Sequence, residues 1–302
     1  MPATNSSRIL VSGVSGPIGT ALLPSLKARG YKVTRLTRGA AAGDGQTAWD
    51  PEQPLSPESV SDFDAVIHLA GESIVGRWTE AKKARIRNSR LAGTHNLAIA
   101  LANAPKRPRV LISGSAIGYY GDRGDEWLRE DSAAGKGFLA EVCKAWEAAT
   151  KPASDAGIRT VHLRTGIVLS KSGGALPKML LPFRLGVGGN IGNGRQWWSW
   201  IDVQDMVGAI YHILKSDLLQ GPVNMVAPRP VTNAEFTRTL AVELSRPAIF
   251  PMPAFAARLA FGEMADELLL ASQRVEANKL VASGYPFQSR ELKQALENVL
   301  ER

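Results

Sequence analysis

The chain has almost no cysteine. Cys143 is the only one in 302 residues, so no internal disulfide can form and no thiolate cluster can hold a metal. Histidine is nearly as scarce: His68, His95, His162 and His212 lie far apart. His68 sits inside an apolar run and reads as a hydrogen-bonded core histidine rather than a ligand or base, and no metal site is expected. No apolar run approaches the roughly 20 residues of a membrane-spanning helix, so no membrane partner is expected. The first seven residues are polar and lack a signal-peptide core, which makes cytoplasm the expected compartment.

Acidic residues are also in deficit, with 28 Asp+Glu against 36 Lys+Arg and a formal charge of +8. Clustered basic groups bind polyanions by releasing counterions. Here Lys82, Lys83, Arg85, Arg87 and Arg90 crowd one helical stretch, but no aromatic-interleaved strand or nucleic-acid motif accompanies them. The cluster reads as a solvated helix face that points one or two arginines at a phosphorylated small molecule, and no nucleic-acid partner is expected. The remaining composition, 44% hydrophobic and 21% charged, is that of a globular protein with a sizeable core.

What is abundant is glycine, 29 residues, and its placement matters more than its number. The loop Gly13-Val14-Ser15-Gly16-Pro17-Ile18-Gly19 follows an apolar run at 8–12 and opens a helical stretch at 20–29. Strand, glycine turn and helix in that order suit a dinucleotide pyrophosphate: glycines let the backbone approach, and free N–H groups at the helix start face the anion. A second strand at 32–36 ends in Thr37-Arg38. A carboxylate there would hold a ribose 2′-hydroxyl, whereas a guanidinium holds a 2′-phosphate, so the expected cofactor is NADP(H) rather than NAD(H).

Apolar runs at 9–12, 32–36, 65–70, 110–113, 160–163 and 223–226 alternate with helical spacing at 20–29, 79–103, 137–156 and 203–215, the pace of a parallel α/β sheet. The expected fold class is α/β: a doubly wound parallel sheet of Rossmann type with a smaller, mostly helical C-terminal lobe. The expected division is a nucleotide-binding domain at 1–226, with an inserted glycine-rich loop at 172–200 over the cofactor cleft, and a substrate or lid lobe at 227–302.

Six segments in order carry a family resemblance: Ala65 to Glu72, Ile86 to Thr94, Ser113 to Gly121, Phe138 to Glu147, Leu163 to Leu169 and Gly194 to Asp202. With the glycine loop they resemble the extended short-chain dehydrogenase/reductase superfamily, also called NAD-dependent epimerase/dehydratase. The nearest likeness is its atypical group of epimerase family proteins, which carry a C-terminal extension. The resemblance implies a pyrophosphate loop at Gly13, Ser15, Gly16, Pro17, Ile18 and Gly19, and an adenosine 2′-phosphate site at Thr37 and Arg38. It further implies a ribose-side strand end at Leu69, Ala70 and Gly71, a nicotinamide-pocket residue at Val168, and cofactor contacts from Arg90 and Arg85.

The main departure is an absence. Relatives that oxidise or reduce an alcohol use a tyrosine and a lysine four residues later, the lysine lowering the tyrosine pKa. No Tyr-x-x-x-Lys occurs here. The tyrosine position falls on Leu139 or Ala140 and the lysine position on Cys143 or Lys144. Ser115 matches the active-site hydroxyl of the family, and Tyr119, Tyr120, Glu72 and Lys144 remain as candidates for handling a proton or the ribose. The expected catalytic set is Ser115, Tyr119 and Lys144. Arg195 and Gln196 favour an anionic or hydroxylated substrate, and Asp202, where a histidine is frequent, could alter substrate-side charge. Of Trp197, Trp198 and Trp200, the last two share one strand face; an indole either lines the substrate cleft or joins the lobe to the sheet.

Two functions stay open. One is an NADP(H)-dependent oxidoreductase or epimerase on a small, sugar- or nucleotide-like molecule; the other is a non-catalytic NADP(H) sensor acting through a partner. Either a monomer or a homodimer is compatible with the fold.

Overall fold

In a computed structural model, residues 7–39 and 43–300 are described. The first half is a run of parallel strand-helix units: β1 (Arg8–Ser12), α1 (Pro17–Ala28), β2 (Lys32–Arg38), β3 (Gln46–Trp49), β4 (Ala65–His68), α2 (Glu80–Asn103) and β5 (Val110–Ala116). Pro17 opens α1 at a position where its missing N–H is no loss. Thr79 caps α2 by accepting from the Lys82 amide at 3.2 Å. The edge strand β3 escapes sequence reading, because Gln46-Thr47-Ala48-Trp49 is short and only its last residue is buried.

The second half continues with β6 (Trp127–Leu128), α3 (Phe138–Ala148), α4 (Lys151–Asp155), β7 (Arg159–Thr165), β8 (Ile167–Leu169), α5 (Leu176–Arg184), β9 (Trp197–Trp198), β10 (Trp200–Asp202), α6 (Val203–Lys215) and β11 (Gly221–Met225). The helix expected at 137–156 is two helices, broken around Thr150 with Pro152 in the first turn of α4. The stretch read as a glycine-rich loop contains α5. Its Leu176, Leu180 and Phe183 recur at helical spacing and are buried, which outweighs the two prolines.

Seven strands form one parallel sheet in the order β11-β7-β5-β4-β1-β2-β3, the doubly wound arrangement expected. Alternation along β1 sends Ile9 and Val11 into one core layer, with Leu22 and Leu26 of α1 and Met206 and Ile210 of α6. It sends Leu10 into the other, with Leu97 and Leu101 of α2.

The tail comprises β12 (Val231–Thr232), α7 (Asn233–Leu244), α8 (Ala254–Phe261), a π turn at Ala265–Leu269, β13 (Arg274–Val275), α9 (Asn278–Ala282) and α10 (Leu292–Leu300). It is mostly helical but not a separate core. Val275, Ala277, Leu280, Tyr285 and Phe287 join the layer of Ile9 and Val11, while α7 and α10 bury Phe236, Leu240, Leu292 and Leu296 against Trp198 and Trp200.

Candidate functional site

The carboxyl ends of β1, β4, β5 and β7 meet on one edge of the sheet, where open α/β sheets bind ligands. Gly13 leaves β1 at φ +73°. A Cβ there would lie 2.5 Å from the Leu69 carbonyl carbon and 2.6 Å from the Ala70 nitrogen, so strands β1 and β4 close together only over a glycine. A Cβ on Gly19 would likewise overlap the Gly13 carbonyl and Val14. At Gly16, the residue before α1, a Cβ would meet only the Gly13 oxygen, at 3.5 Å. The loop is thus sealed behind and open in front, and the first-turn N–H groups of α1, which no helix can satisfy internally, face that opening. Gly173 and Gly174 lie beside Pro17, where an added Cβ would come 3.7 and 3.5 Å from the proline ring, so the segment before α5 flanks this loop.

Arg38 is exposed at the end of β2. It borders a cavity of about 550 Å³ shared with Gly39, Trp49, Asp50, Pro51 and Leu55. Ser15, Ile18 and Thr37 are half-buried or exposed around the same edge. Across from them, Leu69, Ala70 and Gly71 follow the end of β4. The guanidinium of Arg90 packs on Gly71, donates to the Glu72 and Ile86 carbonyls at 2.9 and 3.1 Å, and stacks 5.0 Å from the Trp146 ring. Arg90 therefore holds the strand end in place. Arg85 is exposed and 3.8 Å from Glu72. Glu72 accepts from Lys82 at 2.7 Å, and that bond pulls its pKa below the ordinary carboxylate value, leaving it ionised.

Beneath the strand ends runs a buried polar chain. Ser12 Oγ accepts from the Leu69 amide at 3.2 Å and meets His68 Nδ1 at 2.7 Å. His68 Nε2 meets Thr94 Oγ1 at 3.0 Å, and Trp146 Nε1 donates to Thr94 at 2.9 Å. Both ring nitrogens of His68 are occupied, as expected for a core histidine. Burial lowers its pKa to about 4 from 6.5, so the folded state holds it neutral while the unfolded chain protonates it. Its stability contribution is full above pH 6.5 and is lost as pH falls toward 4, about 3 kcal/mol in all. Urea denaturation at pH 7 and pH 4.5 is expected to show a steeper acid loss for the wild type than for His68→Gln. Equal slopes would refute this assignment.

Ser115 ends β5 on the same edge. Its hydroxyl donates to Glu147 Oε1 at 2.7 Å. Arg164 grips both carboxylate oxygens, Nε to Oε1 at 2.8 Å and Nη2 to Oε2 at 2.9 Å. The same guanidinium donates to Tyr120 Oη at 3.0 Å and lies 3.5 Å from the centre of the Tyr119 ring. Burial opposes its charge, but the Glu147 hydrogen bonds hold its pKa above the ordinary value. Tyr120 is fully buried, donates to Asn224 at 2.7 Å, and is pushed up to about 12 by burial. Tyr119 is only half-buried. Ser115 and Tyr119 are therefore brought together through Arg164 and Glu147, a pairing that sequence reading misses because Glu147 lies 17 residues from Arg164.

Lys144 is not brought to this group: it is exposed on α3, and the residue turned inward is Cys143. Cys143 Sγ and Leu139 pack beside Gly118. Burial pushes the thiol up to about 12, so it is a packing group rather than a nucleophile. The start of α3 is fastened from the tail. Glu267 accepts from the Phe138 and Leu139 amides at 2.6 and 2.7 Å, passing over Gly137, where any Cβ would collide with it.

Val168 is half-buried in β8, paired in parallel with Ile201 of β10. Trp198 and Trp200 do share a face and are buried against α7 and α10, which settles their role as joints between tail and sheet. Trp197 points the other way. The NH2 group of Gln196 is turned inward, donating to the Ile191 and Leu269 carbonyls at 3.0 and 3.1 Å. Asp202 is also turned inward: it accepts from the Gln204 amide as the cap of α6 and from Ser289, and burial raises its pKa. Among the described residues, no cluster of three or more His, Cys, Asp or Glu could hold a metal, and no helix is long and apolar enough to cross a membrane.

The NAD dependent epimerase/dehydratase family model matches residues 9–225, and a model for a domain of unknown function (DUF1731) matches residues 252–299. Epimerase family protein Mb2239 of Mycobacterium bovis is 42% identical over 290 residues, covering 95% of this chain and 96% of that protein. The crystal structure of human epimerase family protein SDR39U1 (isoform 2) with NADPH superposes with a TM-score of 0.90 at 38% identity, covering 98% of this chain and 99% of the other. The nucleoside-diphosphate sugar epimerase from Corynebacterium glutamicum gives a TM-score of 0.83 at 36% identity, covering 98% of this chain and 58% of that one.

Proposed function

Because the chain belongs to the NAD dependent epimerase/dehydratase family, we propose that it binds NADP(H) and acts as an oxidoreductase or epimerase on a small, sugar- or nucleotide-like molecule. The observation that carries the reading is the glycine cradle of residues 13–19, packed tightly at Gly13 and Gly19, with space at Gly16 before the N-terminus of α1, and Arg38 at the end of the neighbouring strand. Backbone N–H groups of Ser15, Ile18 and Gly19 would hold the diphosphate, with Pro17 and Gly16, whose own N–H donates to the Gly13 carbonyl at 3.2 Å, shaping the turn. Thr37 and Arg38 would hold the 2′-phosphate, and the cavity beside Arg38 has room for the adenosine end. Leu69 to Gly71, steadied by Arg90, would underlie the ribose, and Val168 would border the nicotinamide. When bound, NADP(H) supplies or accepts a hydride at the substrate carbon.

The residues of the chain bind and orient. The Ser115 proton is committed to Glu147, so the Ser115 oxygen presents its lone pairs and accepts from a substrate hydroxyl. Arg164 keeps Glu147 in place and, through its contact with the ring face, fixes Tyr119 at the mouth of the site. The NADPH present in the crystal structure of human SDR39U1 supports the cofactor assignment.

Calorimetry is expected to show tighter binding of NADPH than NADH, and Arg38→Ala is expected to weaken NADPH about ten- to a hundredfold while leaving NADH unchanged. Equal affinity for the two cofactors in the wild type would overturn the assignment. Turnover on a panel of carbonyl compounds and nucleotide sugars should fall with Ser115→Ala. Tight cofactor binding with no turnover on any of them would instead favour a non-catalytic sensor, the reading that buried Leu139 and Cys143 at the tyrosine and lysine positions would then explain.

A further inference from the structure

Beside the carboxyl edge of the sheet, three side chains form a stack that the cofactor site does not use. β13 pairs in parallel with β6, setting Arg274 opposite Trp127, and Trp197 follows on the other side, its carbonyl accepting from the Gln273 amide at 3.0 Å. The Arg274 guanidinium lies 3.9 Å from the Trp127 ring centre and 4.0 Å from that of Trp197. Indoles on both faces leave only the planar rim of the guanidinium, where its five N–H donors lie.

That rim has no acceptor. Nε is buried without a hydrogen-bond partner, and among the described residues the two Nη nitrogens make no hydrogen bond or ion pair, although Arg274 as a whole is only half-buried. The nearby carboxylates are already engaged. Asp125 accepts from Trp197 Nε1 at 2.8 Å, Glu126 is gripped by Arg123 at 2.8 and 2.6 Å, and Asp122 accepts from the Ser272 amide at 3.0 Å. With Nε sealed, the donors left to solvent are the paired Nη groups, a fork that fits two oxygens of one planar or tetrahedral anion. Trp127 is 47% exposed, so an indole face stands beside the fork. The stack is also tied to the site, since Gln273 Nε2 donates to the carbonyl of Gly121, the residue after Tyr120.

We propose that Arg274, clamped between Trp127 and Trp197, is a specificity-determining anion site that receives the carboxylate or phosphate group of the substrate, with Trp127 covering an adjoining ring. The proposal deepens the functional reading above and rests on it for the position of the reaction centre.

The test follows the indole N–H signals of Trp127 and Trp197 in the ¹⁵N-labelled full chain during titration with benzoate, phenyl phosphate or the neutral benzyl alcohol. Saturable shifts are expected with one or both anions and not with benzyl alcohol, and which anion binds identifies the group recognised. Arg274→Gln is expected to abolish them and Arg274→Lys, which keeps the charge but not the fork, to weaken binding about tenfold. Should Arg274→Gln fail to fold, the Arg274→Lys comparison decides. The proposal is overturned by an absence of saturable shifts with both anions, by equal shifts with benzyl alcohol, or by unweakened binding in the variants. NADPH affinity measured on the same samples is expected to be unchanged; its absence in the wild type would sink the cofactor reading alone.

Discussion

Glu147→Ala is expected to destabilise the protein by about 3–5 kcal/mol, the cost of leaving a buried charge without its partner. Arg164 is only 4% exposed and Glu147 11%, so water cannot replace the lost carboxylate. The substitution strands the Nε and Nη2 donors of Arg164 and the Ser115 hydroxyl together, and it releases the guanidinium that supports Tyr119. Urea denaturation measures the loss. Glu147→Gln keeps the shape and one acceptor oxygen, so it should lose less stability than Glu147→Ala while still loosening the fork. A loss below about 1 kcal/mol for Glu147→Ala would place this pair among weak surface ion pairs and remove it from the centre of the site.

The second large effect is expected at Gly13. Alanine there must adopt a left-handed conformation and push its Cβ into the backbone of residues 69 and 70. Together these cost about 2–5 kcal/mol. Because β1 and β4 can separate to relieve the overlap, the N–H cradle should deform, and NADPH binding should be lost even where the chain remains folded. Gly16→Ala is the control: its Cβ has space within the protein, so stability should be retained while cofactor affinity falls through occlusion of the opening. Calorimetry and thermal unfolding on both variants separate the two effects. Undiminished NADPH affinity in Gly13→Ala would contradict the cradle.

Most of the sheet was legible because strands covered on both faces are rich in apolar residues, and each of the six expected runs marks one of its strands, those at 65–70 and 223–226 running past the strand ends. β3 was not, since an edge strand with one buried residue has no such pattern. α5 was hidden by prolines and flanking glycines, although Leu176, Leu180 and Phe183 carry its period. In the candidate site, local motifs were readable and long-range pairings were not. The glycine loop announces itself by adjacency, whereas Arg164 meeting Glu147 depends on how α3 packs on the sheet, and Arg274 entering between Trp127 and Trp197 on a strand pairing, neither of which local spacing encodes. Asp202 illustrates the reverse error: a polar residue next to a cleft in sequence, with both carboxylate oxygens taken by internal hydrogen bonds.

The carboxylate of Glu267 that anchors the beginning of α3 bears on how the molecule is made. A nascent polypeptide leaves the ribosome from its amino end, so the nucleotide cradle and Ser115 emerge long before residue 267. Until then the helix bearing Glu147 lacks its clamp, and residues 275–287 have yet to fill their share of the interior. Synthesis of residues 267–287 therefore completes the surroundings of a glycine loop and a Ser115 that were made earlier.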